Sequence, residues 1–478
     1  MGKTAMKIIN PRTGKADYEI TPIKDDALKS LTQKMRDAQY NWAARKVEER
    51  GAILEKLALS IEKHGGDIAA ALTLDTGRRK ISVIEVDGTA KLLRRWAANA
   101  PEIIAAAKGR ENPTSVPNIS TKTALRPYAL IGVISPWNFP LTLALIDAVP
   151  ALMAGCAVII KPSEITPRFI APLLTAIEDV PELRDILCVV EGDGQSGAAM
   201  IKYVDYIAFT GSVATGQKVG MAAAEAFIPA SLELGGKDPM IILASADPKK
   251  AASIALRASI VNSGQACQSI ERVYVAKEII APFMDALIAQ AEAVELNYPD
   301  INKGHIGPFI FGKQGDIVQA QLDDAVKKGA EIYCGGTVET LGGGKYLRPT
   351  IIGNISSQMD IVAEETFGPV IPVRAFDNID EAVMMANHSK YGLSGAVIAG
   401  SLDEAEAVGR RLNVGGVSLN DGSLTSMIWE AEKSSFGLSG IGASRMGDSG
   451  ILRFFRRQAI ILQGGEAAPI AAFAENGT

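Results

Sequence analysis

Cysteine and histidine are scarce in this chain, with four of the first and three of the second among 478 residues. Cys156, Cys188, Cys267 and Cys334 are widely spaced and form no CxxC pair. That excludes a disulfide framework, argues against any metal site of the zinc type, and suits a reducing cytoplasm. His64, His305 and His388 are far apart in sequence, so a Cys–His hydrolase would need the fold to carry one of them to a thiol. A strongly basic patch is also missing, and the net charge is −5, which speaks against a nucleic-acid partner. The start, MGKTAMKIINPRTGK, has no apolar core of a secretory signal. The longest charge-free run, Pro127 to Ile146, is interrupted by Pro136 and Pro140 with Asn138 between them, so it reads as a buried soluble segment and not a membrane span. The expectation is a soluble cytoplasmic protein with no membrane partner.

Apolar residues make up 47% of the chain, enough for at least two cores. Residues 1–105 read mainly as helices; over 41–63, Trp42, Val47, Ile53, Leu54, Leu57 and Ile61 fall near one face. Residues 109–127 are polar and hold three prolines, poor core material that reads as an extended hairpin or arm. From 128 onward short apolar runs (130–134, 157–160, 187–190, 206–209) alternate with Ala/Leu-rich helical segments. That alternation is the pattern of βαβ units on a parallel sheet, and the right-handed crossover makes the core a doubly wound, dinucleotide-binding type. A second series begins at 239–243 and continues through 273–275, 350–352, 370–373 and 395–398. The expected class is α/β, with a Rossmann-type domain over 1–108 and 128–235 and a second α/β domain over 236–440. An arm at 109–127 and a C-terminal strand and tail over 441–478 complete the division.

Five stretches surround GQACQS at 264–269: PWNFP at 136–140, IIKPSE at 159–164, FTGSVATG at 209–216, LELGGKDP at 232–239 and EETFGPV at 364–370. Alone, Cys267 reads as a buried free thiol on a small-residue turn, and the two glycines of FTGSVATG are no GxGxxG fingerprint. Together and in this order, from NPRTGK near residue 10 to about residue 460, the stretches resemble the NAD(P)-dependent aldehyde dehydrogenase superfamily.

The resemblance implies a thiol mechanism. Cys267 matches the nucleophile, which acts as thiolate to give a thiohemiacetal and then a thioester. Asn138 and the backbone N–H of Cys267 match the oxyanion donors. Glu233 matches the general base for thioester hydrolysis; its flanking residues are mostly apolar, a setting that favours a raised carboxyl pKa. Its presence favours release of the free acid, against the alternatives of an enzyme passing the acyl group to coenzyme A and of a relative that has lost catalysis. For the cofactor, NAD with NADP also possible, the resemblance implies Gly211, Ser212 and the helix start at the pyrophosphate, with Gly216 among the cofactor-binding residues. It places Lys161 and Glu164 at the adenosine ribose, Glu365 at the nicotinamide ribose and Phe367 by the ring, and counts Trp137 among the cofactor-binding residues. Phe139, Gln268 and Trp429 are expected at the aldehyde pocket, and assembly as a homodimer or homotetramer is expected through the arm.

The chain departs from the family near its end. Where PFGG is common, residues 435–438 read SFGL, and DGSLTSMIWEAEKSS at 421–435 is longer than in many relatives. Met427 and Trp429 in that insertion either line an apolar mouth or pack beneath the loop. No arginine stands out as a carboxylate clamp, although Arg453, Arg456 and Arg457 lie downstream.

Overall fold

The computed structural model describes residues 5–475; residues 1–4 of the expected first domain and 476–478 of the expected tail lie outside the described residues. The six-stranded sheet runs Gly440–Ile441, Ala230–Glu233, Tyr206–Thr210, Leu130–Ile134, Ala157–Lys161, Leu187–Val189. All neighbours in it are parallel except Gly440–Ile441, which runs against Ala230–Glu233. Ala157–Lys161 and Tyr206–Thr210 are buried at every position, which is why they are continuous apolar runs in sequence and show no alternation. The chain steps outward from Leu130–Ile134 to Leu187–Val189, then returns to the other side of Leu130–Ile134 with Tyr206–Thr210. The loops leaving those two strands therefore diverge and open a crevice at their C-terminal ends. PWNFP and the Gly211–Ser212 turn are those loops.

The second sheet has seven strands, in the order Glu331–Cys334, Thr350–Gly353, Val370–Phe376, Ile270–Ala276, Asp238–Ile242, Ser394–Ile398, Gly416–Leu419. Only the edge strand Glu331–Cys334 is antiparallel to its neighbour. Separate apolar clusters fill its two faces, one around Val273, Phe283 and Ile371 and the other around Tyr274, Phe376 and Val397. The GQACQS and EETFGPV stretches each lead directly into a strand of this sheet. Its N-terminal edge thus meets the C-terminal edge of the first sheet, and the site forms along that seam.

Within residues 109–127, Asn112–Pro113 and Ile119–Pro127 pair antiparallel, and Phe455–Gln463 pairs along Ile119–Pro127 from Phe455↔Pro127 to Gln463↔Ile119. The expected grouping of everything after 440 with arm and tail is corrected. Gly440–Ile441 joins the first sheet, and Ile451 and Phe454 are fully buried in the first core. The run Pro127 to Ile146 becomes a strand, a loop and a short helix, Pro140–Leu145. Among the described residues no helix is long and apolar enough to cross a membrane.

Candidate active site

Cys267 sits half-buried on a turn that three consecutive left-handed residues make, Asn262, Ser263 and Gly264 (φ 61°, 56° and 69°). Gly264 is required by space as well as by φ, because a Cβ there would run into the Gly368 carbonyl. Side chains supply the bonds that the irregular backbone lacks. The Asn262 amide donates to the Gln265 carbonyl (2.9 Å) and the Asn138 carbonyl (3.1 Å), and Ser263 Oγ donates to Gly307 O (2.9 Å). Gln265 Nε2 donates to Asn262 O and Pro308 O, while its Oε1 accepts from Ile310 N–H. Burial pushes the Cys267 thiol up to about 11; the charges of Asp238 and Glu365 add to this, and those of Lys433 and Arg445 oppose it. None of the three histidines lines the cavities that meet at this thiol.

Asn138 is buried, and its Nδ2 donates one hydrogen to Gln265 O (3.0 Å), which fixes the amide plane and leaves the second hydrogen for another acceptor. The loop is held by two residues that the sequence does not single out. Arg78 Nη2 donates to Asn138 O at 2.9 Å, and the guanidinium lies 5.5 Å from the Phe139 ring centroid. Glu85 Oε2 accepts from the N–H groups of Leu141 and Thr142, capping the helix after PWNFP. Arg78 and Glu85 are 3.9 Å apart and almost fully buried, and burial raises the Glu85 carboxyl to about 7. Arg78→Met strips this carboxyl of its cation and leaves the Asn138 carbonyl with only the Asn262 amide as donor. We expect a stability loss of about 3 kcal/mol in thermal or urea unfolding. A drop in kcat/KM of about tenfold should accompany it. Adding Glu85→Gln should restore part of the stability; no recovery would show that the two do not act as a pair.

Glu233 ends the strand Ala230–Glu233, and Oε2 accepts from Ser435 Oγ (3.2 Å) while Oε1 is 3.8 Å from Arg445 Nε. The setting expected from its apolar neighbours is therefore corrected: a hydroxyl and cations face this carboxylate. The two glycines that follow are there for close approach. A Cβ on Gly235 would lie 2.5 Å from the Glu365 carboxylate oxygens, and one on Gly236 would lie 2.7 Å from the Cys267 carbonyl oxygen. Gly236 N–H donates to Glu365 Oε1 (3.2 Å), and burial raises that carboxyl to about 8, with the Glu271 charge adding to it. Lys237, which follows, is wholly buried and bonds Glu271 and Thr366 at 2.8 Å each; Glu271 in turn accepts from Thr366 and Phe367 N–H. This network holds Phe367 in its left-handed conformation (φ 54°). LELGGKDP thus fixes EETFGPV across the seam.

Two cavities meet at Cys267. One, about 560 Å³, is lined by Trp137, Asn138, Gly211, Ser212, Glu365 and Phe367 among others. Trp137 packs edge-on to Phe367 with centroids 5.4 Å apart. Ser212 caps the helix Val213–Glu225, leaving its first amides directed toward this space. Lys161 and Glu164 lie beyond it, past the next strand end, where Lys161 Nζ bonds Glu164 (3.3 Å) and Gly192 O (3.0 Å). Gly216 does not line the cavity; it is buried where a Cβ would strike Leu234, so it sets how closely helix and strand approach. A carboxylate, an aromatic wall, a helix N-terminus and a buried lysine along one crevice fit an elongated phosphorylated dinucleotide. The other cavity, about 440 Å³, is lined by Phe139, Glu233, Gln268, Met427, Trp429 and Lys433 among others. Met427 and Trp429 therefore line the mouth, and the Arg95 guanidinium lies 4.6 Å from the Trp429 ring centroid. Arg453 is buried against Asp147 and Arg456 lies over Tyr128, so neither reaches this space. Lys433 and Arg445, which sequence reasoning passed over, do.

The family model described as the aldehyde dehydrogenase family matches residues 1–460. The fold is similar to that of PutA from Anabaena variabilis, a provisionally named aldehyde dehydrogenase. That pair has a TM-score of 0.95 and 49% identity, covering 98% of this chain and 99% of the other. Betaine aldehyde dehydrogenase from Staphylococcus aureus, solved in complex with NAD+, superposes with a TM-score of 0.90 at 30% identity over 98% of this chain and 93% of that one. A provisionally named NADP(+) succinate-semialdehyde dehydrogenase of Mycolicibacterium smegmatis is 33% identical over 430 residues, 89% of this chain and 83% of the relative.

Proposed function

The chain belongs to the aldehyde dehydrogenase family, and from that premise we propose how its own residues carry the NAD(P)-dependent oxidation of an aldehyde to the free carboxylic acid. One observation supports the reading above the rest: the Cys267 sulfur stands where the two cavities join, with Asn138 bordering one and Glu233 the other. The aldehyde enters between Phe139, Gln268 and Trp429. The Cys267 thiolate adds to its carbonyl carbon, and the oxyanion accepts the spare Asn138 N–H and the Cys267 N–H. Bound NAD(P) supplies the hydride acceptor that leaves a thioester on Cys267. Glu233 then takes a proton from the attacking water, the carbon–sulfur bond breaks, and the acid departs with the thiolate restored.

For the cofactor, Gly211, Ser212 and the start of Val213–Glu225 would hold the pyrophosphate, Lys161 and Glu164 the adenosine ribose, and Glu365 the nicotinamide ribose. Trp137 and Phe367 would wall the ring. A carboxylate at Glu164 disfavours a 2′-phosphate, so NAD is the preferred partner and NADP the weaker one. The walls of the second cavity (Ile81, Ile84, Leu143, Ile146 and Val261) suit an aldehyde with an apolar body. Assembly with further copies of the chain is supported by the outer arm strand Phe455–Gln463, whose outer edge pairs with no strand among the described residues and which exposes Ile460 and Ile461. The widely spaced free cysteines support a cytoplasmic location.

A panel of aromatic, aliphatic and carboxylate-bearing aldehydes, run with both cofactors and without coenzyme A, tests the reading. The expected result is NAD(P)H with one free acid per turnover, kcat/KM higher with NAD, and an acyl adduct trapped on the Cys267 peptide by rapid quench. Product formed only when coenzyme A is added, or no turnover with any aldehyde, contradicts it.

A further inference from the structure

The segment after Trp429 carries a cation that the sulfur chemistry above does not use. The Lys433 Nζ is buried and has no hydrogen-bond partner among the described residues. A buried ammonium without a partner is costly, so its retention at this place calls for a reason. Its stem is accommodated by a small residue: a Cβ on Gly416 would lie 3.1 Å from Lys433 Cδ. The next residue is seated in the same way, with the Ser434 carbonyl oxygen packed onto Gly415. Lys433 N–H donates to Ser444 Oγ at 3.3 Å. The side chain is thus threaded past the strand Gly416–Leu419 and ends in the cavity that Cys267 and Glu233 share.

The charges around that ammonium are few and all belong to the seam. Burial lowers the Lys433 pKa from the usual lysine value; Cys267, Glu233 and Asp238 favour its charged form against that, and Arg445 opposes it. Glu233 is already bonded by Ser435 and close to Arg445, and Asp238 receives both the N–H and the hydroxyl of Ser394. Arg445 is itself committed to Asp147 and Thr210. Of these partners only the Cys267 sulfur has no hydrogen bond among the described residues. We propose that Lys433 is a positioning residue for the thiol chemistry, its unpaired ammonium stabilising the Cys267 thiolate electrostatically while the thiol proton leaves to solvent. The buried thiol otherwise stays protonated, and Lys433 is the strongest charge acting against that.

The inference rests on Cys267 being the nucleophile, and the test separates the two claims. Full-length protein is alkylated with iodoacetamide across pH 6 to 10, and modification of the Cys267 peptide is followed by mass spectrometry. In Lys433→Met the line of rate against pH moves about one unit to higher pH, so that at any pH below the thiol's pKa alkylation is about tenfold slower. Lys433→Arg retains most of the wild-type rate, and kcat/KM for a neutral aldehyde shifts in parallel. Lys433→Gln takes the place of the Met variant if the latter does not fold. An unchanged alkylation line in the uncharged variants overturns the proposal, including the case where KM rises only for carboxylate-bearing aldehydes, which would assign the ammonium to substrate. Full activity in Cys267→Ala would instead overturn the mechanism on which the inference stands.

Discussion

Cys267→Ala is expected to lower kcat by at least about 10⁴-fold while leaving the fold and cofactor affinity intact. The separation of these effects follows from the construction of the turn. The side-chain hydrogen bonds that hold it come from Asn138, Asn262, Ser263, Gln265 and Ser269, and none among the described residues uses the Cys267 sulfur. Removing the sulfur therefore takes away the nucleophile and little else, and the melting temperature should stay near that of the parent. No histidine or second cysteine borders either cavity, so no other thiol or imidazole there can assume the covalent step. The same thiol sets the pH dependence of the parent enzyme. Burial pushes it up to about 11, and the deprotonated form is the active one, so kcat/KM should climb from pH 7 toward pH 10 and fall on acidification. The measurements are steady-state kinetics over that range, thermal melts, and cofactor titration by fluorescence. Retention of more than about a hundredth of the parent activity in the alanine variant would remove Cys267 from the chemistry.

Much of the scaffold is legible in the sequence because buried parallel strands advertise themselves. Leu130–Ile134 falls where its apolar run puts it, and the other expected strands move by only a few residues at their limits. The arm is legible for the opposite reason, since a polar, proline-rich run has no core to enter. What escapes is whatever depends on the third dimension. Ile451 and Phe454 belong to the first core although they lie more than two hundred residues from its last parallel strand, and no local pattern reports that return. Arg78, Glu85, Lys433 and Arg445 look like solvated charges in sequence; they are functional candidates only because the seam buries them. The environment of Glu233 misleads in the same way. Its chain neighbours are apolar, but its spatial neighbours come from residues 433–445 and are polar or cationic. Gly216 was expected at the cofactor and instead spaces a helix from Leu234. Motif position identifies where a glycine is needed without saying which face needs it.

Those neighbours determine what Glu233→Gln should do. The amide is nearly isosteric and can keep the Ser435 contact, so the site's shape is preserved while it loses a proton acceptor and one negative charge. Arg445 does not take over the carboxylate's charge in the parent, because Asp147 and Thr210 already hold its Nη2 and Glu233 is left at 3.8 Å from Nε. The carboxylate is steadied and still free to accept a proton from water. Acylation does not need that step, and hydrolysis does. The variant is therefore expected to release one equivalent of NAD(P)H per active site in a rapid burst, then to turn over about 10²–10⁴-fold more slowly than the parent. The acyl group should accumulate on Cys267, visible as a mass shift of the intact protein, and added hydroxylamine should discharge it. Parent-like steady-state rates without a burst would show that another group activates the water. A loss of the burst itself would place Glu233 before the thioester, as the base that ionises Cys267, and would make Lys433 the partner of that proton transfer instead of the counter-charge to a thiolate formed by solvent.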